Sequence, residues 1–153
     1  VNKILNTQLM SERLESLKAG IIGGISLCLS FIVTILVNTL VLATYFPTLV
    51  MRLEPLNLDF LLSVAITSFC GLLFGVTYRY IIRLDNNPQL KAGGVFAFGL
   101  VRGLTQIEVG WNSTATLLPY LVLALENVLW FAIAAITLDT AIQVGWLKPF
   151  SSN

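Results

Sequence analysis

Apolar residues fall in four blocks along this chain, at about 19–44, 60–82, 92–110 and 117–142, with short polar stretches between them. The blocks are continuous rather than alternating, which argues for helices and against the strands of a barrel. A bilayer core about 30 Å thick takes about 20 helical residues. The first, second and fourth blocks exceed that length. The third is interrupted by glycines and by Arg102, yet it too must cross or re-enter. In lipid every backbone polar group needs an internal partner, so helices are the economical form for all four.

The polar stretches read as boundaries. Tyr45-Phe46-Pro47 and Pro55 follow the first block, and Asp85-Asn86-Asn87-Pro88 forms a turn cluster before the third. Tyr78, Arg79 and Tyr80 close the second block, Trp111 the third and Trp146 the fourth, where aromatic rings suit the headgroup level. Arg79 reads as an anchor that snorkels toward the interface. Residues 1–17 mix Ile4, Leu5, Leu9, Leu14 and Leu17 with charges, which fits either a short helix lying on the membrane or a frayed terminus. The first block is too long for the core of a cleaved signal peptide, and no A-x-A site follows it.

Composition supports the membrane reading. Of 153 residues, 56% are hydrophobic and only 11% charged; a soluble domain carries about a quarter charged residues. The mean hydropathy is +0.85. A single membrane domain is expected, and a net charge of +1 offers nothing to a nucleic acid. Lys3, Arg13, Lys18, Arg79, Arg83, Lys91 and Lys148 fall on one side, against Arg52, Glu54, Asp59 and Glu108 on the other. The positive-inside rule then places both termini in the cytoplasm or stroma.

Small residues recur at helical spacing. Gly20 with Gly24, Gly71 with Gly75, and Gly99 with Gly103 are GxxxG pairs that let helix backbones approach closely. SLKAGIIGGISL at 16–27 aligns without a gap with QLKAGGVFAFGL at 89–100, which would fit a duplicated two-helix hairpin or a chance match among common membrane residues.

Candidate chemistry is sparse. There is no histidine, which removes the commonest metal ligand and proton-transfer group. Cys28 and Cys70 lie inside apolar blocks, without metal-binding spacing. Ser26, Ser30, Ser63 and Ser68 have no evident base. No catalytic set and no metal site are expected. Asn112-Ser113-Thr114 matches a glycosylation sequon, a short motif whose meaning depends on a secretory host. Arg102 lies about 13 Å from the outer edge of the hydrocarbon core and Glu126 about 14 Å in from the same side. A salt bridge between them is therefore expected, either fixing helix register or serving transport. Glu126, Asn127 and Trp130 form a second candidate contact, since carboxylate or amide oxygens can ligate the magnesium of a pigment. Chlorophyll, carotenoid and lipid are the ligands considered.

FGVTYRYIIR, LKAGGVFAFGLVRGL and ENVLWFAIAAITLD together resemble a family of small integral membrane proteins of cyanobacteria and plastids. That resemblance implies a thylakoid or bacterial inner membrane and a photosynthetic complex, with no residue-specific role. The expectation is a four-helix, non-catalytic membrane component, an accessory subunit or assembly factor that packs against other integral membrane proteins or itself. The alternatives are a small transporter or channel using Arg102 and Glu126, and a pigment- or lipid-binding protein.

Overall fold

A computed structural model describes residues 2–47, 57–83, 86–112, 114 and 116–150. Four helices account for most of them: α1 (Asn2–Leu40), α2 (Leu58–Ile82), α3 (Pro88–Gly110) and α4 (Leu118–Gln143). No strand occurs among the described residues. α1, α2 and α4 are long and apolar enough to cross a membrane. Their outward faces carry Ile25, Leu29, Val33, Leu61, Phe69, Leu129 and Ile133 in the open, which is compatible with a multi-pass membrane protein.

Local chemistry sets the helix starts. The Asn57 side chain accepts from the Asp59 amide at 3.1 Å, and that of Asn87 accepts from the Gln89 amide at 2.9 Å. Each cap satisfies one otherwise orphan N–H, so α2 and α3 begin a few residues before their apolar blocks. Pro88 and Pro119 occupy the first turns of α3 and α4, where a missing N–H costs nothing. α4 stops at Gln143, and just beyond it Gly145 has a φ of 83°, which suits a residue without a Cβ. The Trp146 and Leu147 amides turn back to the Ala141 carbonyl at 2.9 and 3.1 Å, and Leu147 is buried.

Residues 2–17 are not a separate surface helix. They are continuous with the apolar run in a single 39-residue α1, about 58 Å long at 1.5 Å per residue. No proline or glycine breaks residues 2–19, so nothing in the sequence stops the helix from propagating.

Glycine contacts pair the helices. A Cβ on Gly71 would stand 2.8 Å from the Gly24 Cα, and one on Gly75 would collide with the Ala19 carbonyl. Gly20, Gly23 and Gly24 face α2 at similarly close range. On the other side of the bundle, Gly99 meets the Val128 backbone and Gly103 the Ala124 backbone, both with 2.7 Å to a built Cβ. All three GxxxG pairs thus lie at contacts within the chain. α1 also packs along α4, whereas α2 and α3 touch only thinly.

The sequence repeat does not carry into this packing. Gly20 abuts α2, while its aligned partner Gly93 faces open space. Leu27 is fully buried, and its partner Leu100 is 44% exposed.

Candidate functional site

A layer of polar side chains crosses the middle of the bundle, contributed by all four helices. From α3, Arg102 Nη2 donates to Thr67 Oγ1 on α2 at 2.7 Å, and Nη1 to Cys70 Sγ at 3.4 Å. The guanidinium carbon sits 5.7 Å from the ring centroid of Trp130 on α4, within cation–π reach. The Trp130 indole N–H donates in turn to Thr34 Oγ1 on α1 at 2.8 Å. Asn127 Nδ2 donates to Gln106 Oε1 at 2.7 Å and to the Leu123 carbonyl at 2.8 Å. Asn38 Nδ2 donates to Glu126 Oε2 at 3.3 Å.

The expected salt bridge between Arg102 and Glu126 is not made. Arg102 turns to α2 and Glu126 to α1. The two residues match in height along the helix axes but not in azimuth around them. Glu126 and Asn127 are successive residues, about 100° apart around a helix. Asn127 faces α3, so Glu126 is rotated away from it and toward α1. The three ion pairs among the described residues are Lys18–Glu15, Arg79–Glu12 and Lys91–Asp139. Arg102 therefore has no carboxylate partner among the described residues, and its buried Nε has no hydrogen-bond acceptor.

Arg102 lies instead in the wall of a cleft of about 930 Å³ between α2, α3 and α4. The cleft exists because the glycine contacts draw α1 to α2 and α3 to α4, leaving α2 and α3 apart. Ile66, Cys70, Leu73, Ala97, Val101 and Leu123 give it an apolar lining, and Gln106 and Thr105 add polar groups one turn beyond Arg102. Glu126, Asn127 and Trp130, the expected ligand contacts, do not line it. Asn127 and Trp130 are buried behind its wall, spent on contacts within the bundle. Toward the end that carries the chain termini, Phe74, Phe98 and Phe131 pack with centroid separations of 5.1 to 5.7 Å and fill the interior.

That end of the bundle carries a second polar cluster, built around Arg79. This residue was expected to snorkel at the surface, but it is only 1% exposed. Its Nε donates to the Lys148 carbonyl at 2.9 Å, and Nη1 to Ser16 Oγ at 2.7 Å and to the Glu12 carbonyl at 3.2 Å. Nη2 pairs with the Glu12 carboxylate. The guanidinium also lies over the ring of Phe150. Arg79 thus ties the end of the chain to α1. The reason is the back-turn after Gly145, which brings the tail over the helix ends. Tyr78, another expected anchor, is buried and donates to Asp139 Oδ1 at 3.2 Å, beside the Lys91–Asp139 pair. Tyr80, Trp111 and Trp146 are exposed.

Thr34, Asn38 and Thr67 were not singled out from the sequence. Each is a lone polar residue in an apolar run, and that was the signal available. Among the described residues no cluster of three or more histidine, cysteine or acidic side chains could hold a metal ion, and Cys28 and Cys70 are free thiols. Of the sequon, Ser113 lies outside the described residues. Comparison with family models, with curated proteins and with solved structures finds no match.

Proposed function

We propose that this chain is a non-catalytic membrane protein that holds an amphipathic, bilayer-soluble ligand in the cleft between α2, α3 and α4. The observation that carries this reading is the cleft itself: about 930 Å³, apolar over most of its lining, with a single guanidinium in its wall. Ligand sites commonly have this volume and this mixture of apolar walls with a few placed polar groups. The ligand class is the lipid or pigment alternative expected at Glu126, Asn127 and Trp130, with Arg102 in place of those residues as the polar contact.

Two other readings draw less support. A conduit needs a polar route across the bundle, and the Phe74–Phe98–Phe131 packing interrupts any route toward the chain termini. An accessory subunit would offer its small-residue faces to a partner, but Gly20, Gly24, Gly71, Gly75, Gly99 and Gly103 are all engaged within the chain. In this proposal α3 crosses the membrane with the other helices, and both termini face the cytoplasm or stroma, as the lysine and arginine distribution favours.

The test is retention of a ligand through purification from the native membrane in mild detergent. Mass spectrometry of the extracted protein should find a lipid or pigment at near-equimolar level. Val101→Trp, which places a large ring in the cleft, should release it while leaving helix content unchanged. A ligand-free protein whose melting temperature is unmoved by added membrane extract would remove the proposal.

A further inference from the structure

We infer that the head of the cleft's ligand is a carboxylate seated against Arg102 and Gln106. The inference rests on the ligand-holding reading above and deepens it. An unpaired guanidinium inside a membrane bundle is costly, and its usual compensation is a carboxylate. None among the described residues supplies one. The acceptors that Arg102 does have are a threonine hydroxyl and a thiol sulfur, both neutral.

The amide of Gln106 adds a second donor. Asn127 Nδ2 is fixed by its hydrogen bond to the Leu123 carbonyl at 2.8 Å. Gln106 must therefore present its oxygen to Asn127, as the 2.7 Å contact records. This leaves Gln106 Nε2 without a hydrogen-bond partner among the described residues, on a residue that lines the cleft. Arg102 and Gln106 are four apart on α3, hence neighbours on one helix face. The wall thus offers donors and one positive charge. A head with two acceptor oxygens and one negative charge complements it, and the guanidinium fork suits a carboxylate geometrically.

Size and depth favour a compact head. The lining residues of α3 run from Ala97 to Gly110, about 20 Å of helix at 1.5 Å per residue, with Arg102 nearer the first end. A bulky zwitterionic headgroup would need polar surroundings on every side, whereas Leu73, Val101 and Leu123 are apolar. The occupant is accordingly a carboxylic acid with a long apolar chain that lies along the cleft.

The experiment titrates the full chain in detergent with a fluorescent conjugated-polyene fatty acid and, separately, with its methyl ester. The wild type should bind the acid about tenfold or more tightly than the ester, the factor for one charge-assisted hydrogen bond. Arg102→Gln should abolish that preference while still binding the ester. Equal binding of acid and ester by the wild type, with both blocked by Val101→Trp, would overturn the carboxylate assignment and leave the cleft reading standing. Binding of both that Val101→Trp does not touch would overturn the two together. Should Arg102→Gln not fold, a pH titration of the wild type gives the same reading. The preference must vanish as the acid becomes protonated, and a preference that persists would refute the assignment.

Discussion

At the scale of single residues, glycines with the same spelling in the sequence do different work. Gly75 lies where α1 and α2 come closest, and any Cβ there meets the Ala19 carbonyl, which cannot rotate aside as a flexible side chain would. Gly75→Val should therefore destabilise the bundle by about 3 kcal/mol, the upper part of the range for overpacking. Gly93 has nothing within 4 Å of a built Cβ. Gly93→Ala should be neutral or stabilise by up to about 1 kcal/mol, through helix propensity alone. Thermal unfolding of the two variants in the same detergent checks the contrast. Similar melting shifts for both would mean that the α1–α2 contact is not as close as described. A GxxxG pattern names candidate contact points, but LKAG at residues 17–20 and 90–93 shows that identical letters need not share an environment.

At the scale of elements, Arg79 joins three parts of the chain that are distant in sequence: α2, the start of α1 and the tail after α4. Its donors reach Glu12, Ser16 and the Lys148 carbonyl. Arg79→Met keeps the bulk and removes those donors. The expected cost is about 3 kcal/mol, the lower end for breaking a buried pair, because Glu12 is partly exposed. Residues 147–150 should then become accessible, and limited proteolysis or hydrogen exchange at the tail reads this directly. A tail as protected as in the wild type would assign its docking to Leu147 and Phe150 alone. Tyr78 and Arg79 close an apolar run, as interfacial anchors do, but Arg79 is buried between α1 and the returning tail, and Tyr78 packs against Phe74 and donates to Asp139. That back-turn depends on Gly145 and the Ala141 carbonyl, a three-dimensional arrangement with no trace in hydropathy.

At the scale of the whole molecule, the proposed four crossings make a definite labelling pattern. Gln8→Cys and Gln89→Cys should react with an impermeant thiol reagent from the same side of sealed vesicles, and Asn112→Cys from the other. Native Cys28 and Cys70 are first replaced by alanine. Gln89 and Asn112 reacting from one side would make α3 re-entrant rather than spanning. α3 is the helix on which this turns, because Lys91, Arg102 and Glu108 leave it without the long apolar stretch that the other three carry.

The helical class and the three clearest spans were legible because hydropathy adds up along a chain. A run of twenty apolar residues has one economical conformation in lipid, whatever it packs against. The close-packing glycines were legible as candidates for a similar reason, since residues four apart share a helix face. Which partner Arg102 and Glu126 would take was not legible. Depth is a coordinate along the helix axis, but contact also requires the right angle around it and the right distance between axes. Those are set when the glycine contacts pair α1 with α2 and α3 with α4. That pairing turns Glu126 toward α1, buries Arg79 under the returning tail and leaves the cleft beside Arg102. Sequence determined the helical elements and the capacity of three of them to cross a membrane, through terms that each residue contributes independently. Tertiary structure decided the site, because helix azimuth and separation arise from many contacts satisfied at once.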